Sequence, residues 1–525
     1  MDRASNLQRL QEPFDIAIIG GGATGLGTAV DAAARGYRVA LLEGKDFAKG
    51  TSSKSTKLVH GGVRYLAQGN LSLVREALRE RGRLRRNAPH LVGNLEFVVP
   101  AYAWWSGSYY GVGLKLYDVM AGRARLGKSQ LVSRAEVLER LPNLEADQLR
   151  GGVVYHDGQF DDARLAIALA QTASRLGATL VNYAPVVRLL KEGPRLVGLV
   201  ARDEETGAEL VVRAKVVINA TGIFTDVIRR LDEPESKPKV TLSQGVHLVL
   251  PKALFPGKSA LMVPRTDDGR VLFIVPWHGR ALLGTTDTPV QQVEYEPQPL
   301  EEEVEFLMSH AARYLEKDPV RSDVLSVYVG LRPLVRARKE DAKTGSLSRD
   351  HTLFVSDSGL VSIVGGKWTT YRKMGEDTVD RAIKVGELTS APCTTAELRL
   401  HGAPSDVTLG ALAPSDEEPL AVYGTDGPRL QALLAISPEL GQTIHPRLPY
   451  LKAEVVWAVR EEMGRTLEDV LARRTRALVL DARACAECAP EVARLMAQEL
   501  GRDADWISSQ VAQFRSLCER SLLPC

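Results

Sequence analysis

The stretch Phe14 to Glu43, FDIAIIGGGATGLGTAVDAAARGYRVALLE, leaves few alternatives to a strand–helix–strand unit. Phe14 to Ile19 is an apolar run of buried-strand length. Gly20, Gly22 and Gly25 then fit G-x-G-x-x-G. The first allows a tight turn, the second lets backbone approach a pyrophosphate, and the third lets the helix pack closely on the strand. Ala23 and Thr24 open that helix, whose free N–H groups and positive dipole end suit an anion. Leu26, Ala29, Val30 and Ala33 form its apolar face, and Gly36 ends it. Arg38 to Leu42 reads as a second parallel strand with Glu43 at its carboxyl end, placed to accept hydrogen bonds from ribose hydroxyls. A carboxylate there selects a free 2′-hydroxyl, hence FAD or NAD over NADP; the fingerprint alone does not choose between those two.

The length of 525 residues implies several domains. A net charge of +2 gives no global basic field, so nucleic acid is not an expected partner. Cys393, Cys485, Cys488, Cys518 and Cys525 are few for such a chain and suit a reducing compartment. Cys485 and Cys488 form a C-x-x-C with no second pair, so they read as ordinary thiols and no metal is expected. The first thirteen residues are polar, which predicts no secretory leader, and no apolar run has the length of a membrane span.

Beyond Glu43 the texture changes. Gly50 to Leu66 is rich in Ser, Thr and Gly, then basic. A helix is expected from about Leu71 to Asn87, its many arginines forming a solvated face. Tyr102, Trp104, Trp105, Tyr109, Tyr110 and Tyr117 crowd together before Lys115, Arg123, Arg125 and Lys128 are complete. That mixture suits a membrane–water interface or aromatic packing inside a cap. Ser133 and Glu136 are spaced as a capping box. Asp162 to Leu176 reads as an amphipathic helix, Arg195 to Arg213 as a hairpin turning at Thr206-Gly207, and Val216 to Asn219 as a buried strand. From Val240 to Leu334 strand patterns dominate. Past Pro392 helical spacing takes over, with no motif that carries chemistry.

A flavin that oxidises an alcohol needs a slot for its ring, a group to take the hydroxyl proton, and charge that holds the substrate. An anionic substrate adds a need for arginine forks. SSKSTKLVHGGVRYL, SQGVH, YVGLRPL with SRDH, and GGKWTTYR offer these parts, and SSKSTKLVHGGVRYL, DDARL, NATG, GLRPL, SRDHTL and GGKWTTYR occur in that order. In that combination the chain resembles the FAD-dependent, aerobic respiratory type of glycerol-3-phosphate dehydrogenase. The resemblance runs from about residue 14 to 380, and LKAEVVWAVREEM with TLEDVLARRT is similar to the family's helical C-terminal domain.

The resemblance implies FAD. It implies an α/β fold with a Rossmann-like FAD-binding domain of the D-amino-acid-oxidase-like type, an antiparallel-sheet substrate domain and a C-terminal helical domain. The corresponding division is 13–90, 150–235 and 345–392 for FAD; 91–149 and 236–344 for the cap; 393–525 for the helices. Thr51, Ser52, Ser53, Lys57, Leu58, His60 and Gly61 would lie along the FAD pyrophosphate and ring, Val187 near the adenine, Ala220, Thr221 and Gly222 closing the dinucleotide site, and Gly366, Lys367 and Thr369 by the pyrimidine end of the ring. Arg64, Tyr65, His247, Arg332, Arg349 and Lys367 would surround the substrate. By chemistry, Arg64 and Arg349 suit the phosphate, with Tyr65 as a hydrogen-bond donor. Arg332 suits the C2 oxygen. His247 is the candidate base, because neutral imidazole accepts a proton near pH 7. Trp368 departs from the family, many members having a smaller aliphatic residue there. The implied reaction is oxidation of sn-glycerol 3-phosphate to dihydroxyacetone phosphate, with electrons passed to a quinone. The implied place is cytoplasmic, peripheral on the inner face of the cell membrane, with room for a homo-oligomer. The rivals are an oxidase that uses oxygen and a flavin-bound sensor without turnover.

Overall fold

The computed structural model describes residues 1–62, 70–103, 106–336, 350–405 and 419–524, with side chains left aside for 106–110 and 123. Arg64, Tyr65, Trp104, Trp105 and Arg349 lie outside the described residues.

The fingerprint strand Phe14–Ile19 is central in the first sheet. It pairs in parallel with Val39–Leu42 on one side and Glu209–Asn219 on the other. Thr179–Val181 extends the first edge and Val361–Val364 the second, also in parallel, so the sheet carries the doubly wound order of a dinucleotide unit. Ile16, Ile18, Leu41 and Ile218 are fully buried between helices, as the continuous apolar runs demand. Each such side chain contributes on the order of 1.5–3 kcal/mol on burial. The hairpin foreseen at Thr206-Gly207 forms from Arg195–Arg202 and Glu209–Asn219. The capping box at Ser133 and Glu136 also forms, opening the helix Arg134–Arg140.

The second sheet is mostly antiparallel and centres on Val240–Pro251, which pairs with Ser326–Val335 and Arg280–Gly284. It continues through Leu272–Trp277 and Ala260–Val263 to Val92–Ala101 and Gly151–Phe160. Two strands from stretches assigned above to the FAD unit, Leu58–Val59 and Gly151–Phe160, therefore belong to this second sheet. Between them the helix Leu71–Asn87 packs on the dinucleotide core through Leu84, and the helix Asp162–Arg175 follows the second of these strands.

Helix Ala23–Ala34 packs on helix Tyr371–Val385. Contact is closest at Gly375, where a Cβ would sit 2.7 Å from the Gly27 carbonyl oxygen. This approach draws the 365–370 turn beside the fingerprint. The C-terminal region is helical, with Lys452–Glu462, Ala482–Leu500 and Ala504–Arg520 packed around Cys485, Cys488 and Cys518. The two C-x-x-C thiols are buried in one helix, and the thiol of Cys485 is pushed up by burial.

One sequence expectation is corrected here. The helix Leu71–Asn87 does not present all its arginines to solvent. Arg81 is buried, donating to Asp157 at 2.6 Å, and Tyr117 donates to the same carboxylate at 2.8 Å. Helical spacing placed Arg81 beside Val74 and Leu78 on the packed face, and a buried acid on a neighbouring strand makes that face tolerable to a cation. Tyr117 is likewise packed inside, whereas its neighbours Val112, Leu116 and Val119 are exposed.

Candidate active site

A cavity of about 500 Å³ runs from Glu43, past the fingerprint turn, to Lys367 and His247. At one end Glu43 accepts from the Gly21 amide at 2.6 Å and the Lys45 amide at 2.8 Å. Burial pushes its carboxyl up, against those two bonds. Gly20, Gly22, Ala23 and Thr24 line the next part. Gly25 is just behind: a Cβ there would fall 1.8 Å from the Gly20 carbonyl oxygen, so no other residue fits the turn. Ser52 closes over the helix start, its Oγ accepting from the Ala23 amide at 2.9 Å. Gly25→Val is expected to yield protein without flavin, read from the absorbance ratio of protein to flavin after purification; a yellow variant would count against this packing.

Asn219 organises the facing turn. Its side-chain oxygen accepts from the Thr221 hydroxyl at 2.7 Å, and its amide donates to the Thr225 carbonyl at 3.0 Å. Ala220, Thr221 and Gly222 thereby line the cavity. Pro185 and Val186 line it on the far side, where the sequence reading put Val187. Val187 follows directly, at a register shift between Val186 and Arg188. Phe224 and Tyr295 pack with tilted rings, 4.6 Å between centroids, and complete this end. Neither was foreseen, because an isolated aromatic in a loop carries no periodic signal.

At the other end, Thr51, Ser52, Leu58 and His60 line the wall together with Gly366, Lys367 and Thr369. The two segments are stitched: Trp368 Nε1 donates to the Ser52 carbonyl at 2.9 Å, and the His60 amide donates to Thr369 Oγ1 at 3.2 Å. The family departure at Trp368 is thus a buried strut. Ser53, Lys57 and Gly61 stand behind the wall. Gly61 donates to the Tyr117 hydroxyl at 2.8 Å, and Lys57 is buried against Asp162.

Strand register brings the substrate candidates together. Ser243, Gly245 and His247 share one face by the two-residue period, and Arg332 pairs with Ser243 and Tyr328 with His247. Gly245 makes room for the guanidinium, since a Cβ there would be 2.3 Å from Arg332 Nη2. Arg332 is held by the Gln244 carbonyl at 3.1 Å and the Thr286 carbonyl at 3.0 Å, with Asp287 at 3.5 Å. His247 is 2% exposed and stacks on Tyr328. Its Nε2 and Thr56 Oγ1 are 2.8 Å apart, while Nδ1 has no protein partner among the described residues. Burial, then Lys57 and Arg332, push the imidazole well below its ordinary value, so it is neutral at neutral pH. Thr56 lay inside a quoted motif, yet nothing in its spacing singled it out.

Residues 15–372 match the family of FAD dependent oxidoreductases, and residues 393–506 match the C-terminal domain of alpha-glycerophosphate oxidase. The mitochondrial glycerol-3-phosphate dehydrogenase of Mesocricetus auratus is 43% identical, over 95% of this chain and 72% of its own length. The corresponding protein of Arabidopsis thaliana is 42% identical, over 93% of this chain and 83% of its own. The chain belongs to the FAD-dependent glycerol-3-phosphate dehydrogenase family. An X-ray structure of the glycerol-3-phosphate dehydrogenase from Bacillus halodurans complexed with FAD superposes with a TM-score of 0.80 at 29% identity, covering 99% of this chain and 98% of that one. The L-alpha-glycerophosphate oxidase of Mycoplasma pneumoniae, at 17% identity and a TM-score of 0.57, shares the fold over 74% of this chain. The chain is an FAD-dependent oxidoreductase, and its residues fit the group: a glycine turn no Cβ could enter, an acid at the ribose end, and a walled slot ending at Lys367.

Proposed function

We infer that this flavoenzyme oxidises sn-glycerol 3-phosphate to dihydroxyacetone phosphate and passes the electrons to a membrane quinone. The observation that carries the reading is Arg332 and a neutral His247 on one sheet face, at the end of an FAD-shaped cavity. Bound FAD supplies the two-electron acceptor for the C2 hydrogen. Arg332 orients the C2 oxygen and stabilises negative charge as the hydroxyl proton leaves. His247 takes that proton, its ring held by the Nε2–Thr56 Oγ1 hydrogen bond. Lys367 adds a cation where the ring meets the substrate. Arg64 and Arg349, with Tyr65, are assigned the phosphate on the family resemblance.

The test is an anaerobic titration of the yellow protein with glycerol 3-phosphate. Bleaching of the oxidised flavin band is expected, with glycerol and lactate inert and a quinone analogue restoring the colour. A flavin left oxidised would overturn the substrate; rapid reoxidation by oxygen and not by quinone would favour the oxidase.

Among the described residues no helix is long and apolar enough to cross a membrane. The proposed membrane contact is the helix Ser106–Ala121, which exposes Val112 (72%), Leu116 (47%) and Val119 (76%) at spacings of one helical face, beside exposed Lys115. A monomer in water gains nothing from that stripe, whereas a lipid interface buries it. Replacing all three with serine is expected to weaken binding to anionic vesicles at least about tenfold, given the ~1.5–3 kcal/mol each side chain gains on burial. Sedimentation with vesicles measures it, and unchanged binding would remove this helix from the contact.

A further inference from the structure

The acids of DDARL were left without a role by the reaction. They open the helix Asp162–Arg175, where free N–H groups and the dipole favour carboxylates. Asp161 caps it, accepting from the Arg164 amide at 3.0 Å. Asp162 collects donors from distant parts of the chain. Ser55 gives its amide at 3.0 Å and its hydroxyl at 2.7 Å. Lys57 Nζ lies at 2.7 and 2.9 Å from the two oxygens. Arg476 Nη2, from the helical region, lies at 3.1 Å.

Lys57 and Arg476 also both donate to the Ser53 carbonyl, at 2.8 and 2.9 Å. The Tyr328 hydroxyl donates to the Ser55 carbonyl at 3.0 Å. Asp162, Lys57 and Arg476 are all fully or almost fully buried, and none of them lines the cavity. Ser55, which Asp162 holds, does line it, and so does Thr56, between Ser55 and Lys57. Lys57 has φ +62°, an uncommon backbone state that the surrounding bonds must impose. Apolar packing would serve stability as well as two buried cations on an acid do; what the ionic cluster adds is a fixed geometry. Burial pushes the Lys57 ammonium down to about 7, against the pull of Asp162.

We propose that Asp162, clasped by Arg476 and Lys57, is a positioning residue for the oxidation. It sets the segment 52–57 so that Thr56 Oγ1 holds His247 through its Nε2 and fixes the imidazole at the substrate end of the cavity. The helical region thereby completes the active site from behind. The proposal rests on His247 being the base, as read above.

The test uses the full FAD-loaded chain and the variants Thr56→Val, Arg476→Met and Arg476→Lys. Thr56→Val and Arg476→Met are each expected to slow anaerobic flavin reduction by glycerol 3-phosphate about 10–100-fold, as loss of a well-placed general base does in part. Half-saturation should stay within about threefold, because the substrate contacts are untouched. The double variant should be no slower than the slower single one, since both act through the same hydrogen bond. Arg476→Lys should recover most of the rate. Hydrogen exchange of the 52–57 amides should rise in Arg476→Met and not in Thr56→Val, with Phe14–Ile19 unchanged in both. A Thr56→Val rate within about twofold of the parent, or losses that multiply in the double variant, would overturn the proposal. Thr56→Val is nearly isosteric and decides the matter even where Arg476→Met does not fold. If the parent flavin is not reduced by glycerol 3-phosphate at all, the functional reading fails instead, and unchanged exchange at 52–57 would then overturn the brace by itself.

Discussion

Arg332→Met is expected to slow flavin reduction by glycerol 3-phosphate about 10²–10³-fold while leaving the flavin content unchanged. The guanidinium is fixed before any substrate arrives, by Gln244, Thr286, Ser243 and Thr285 around it. A preset cation at a developing alkoxide costs no reorganisation when the proton leaves, which is why its loss falls on the rate. The flavin end of the cavity is built from other segments, so flavin binding should survive. Asp287 sits 3.5 Å away, and Arg332→Lys is the companion variant that keeps a cation beside it. The pH profile gives a second signature. Burial, then Lys57, then Arg332 depress the imidazole of His247. Neutral imidazole is the active form, so the rate falls as pH drops through its pKa. In the parent that limb lies well below pH 6.5. Removing the Arg332 charge lifts the His247 pKa, so the acid limb should move toward neutrality. Stopped-flow reduction rates between pH 5 and 9 measure both effects. A parent-like rate in the variant, or an acid limb that does not move, would remove Arg332 from the proposed role.

The dinucleotide unit was legible because its signals are local. Strand period, glycine spacing and the terminal acid of Phe14 to Glu43 lie within one βαβ unit, and the fold followed them. The capping box at Ser133 and the hairpin before Asn219 were legible for the same reason. Sheet membership was less so. Gly151–Phe160 is buried almost throughout without alternation, and its long-range partner Val92–Ala101 decides which sheet it joins.

The helical region shows the larger gap. Its amphipathic spacing was plain, and from spacing alone it read as a passive appendage. The basic run Arg473, Arg474 and Arg476, at the end of TLEDVLARRT and just past it, carries no sequence signal of burial. In the fold all three are buried, and each finds acids supplied by the dinucleotide unit. Sequence separation hides such pairing: Asp46 and Arg474 are distant in the chain, and neither side has a periodic signal for a buried charge. The acids of DDARL were recognised as a motif, yet their partners could not be read without the third dimension.

Asp46→Asn is the stability counterpart, and it is expected to cost about 3–5 kcal/mol, the usual result of stripping one partner from a buried ion cluster. Asp46 is fully buried and accepts from Arg474 Nη2 at 2.9 Å, Arg473 Nε at 2.5 Å and Asn182 at 3.3 Å. Without the carboxylate charge, Arg473 keeps direct contacts to Asp469 and Glu468, whereas Arg474 keeps the Glu462 carbonyl and the more remote charge of Asp469. The asparagine preserves shape, so the cost is electrostatic and not a cavity. Burial by itself would raise the Asp46 carboxyl; Arg474 and Arg473 outweigh it and hold it below the ordinary carboxylate range. A depressed folded pKa contributes stability that is present above the unfolded value of about 4 and is lost as pH falls through the folded one. The gap between parent and variant should therefore be full at pH 7 and shrink at strongly acid pH. Urea unfolding followed by flavin and tryptophan fluorescence measures it. Because the cluster ties the helical region to the strand–loop that carries Glu43 and Ala48, flavin release and tryptophan unfolding should coincide in the parent and separate in the variant. A difference under about 1 kcal/mol at pH 7, the scale of an exposed pair, would show that these charges are compensated from elsewhere.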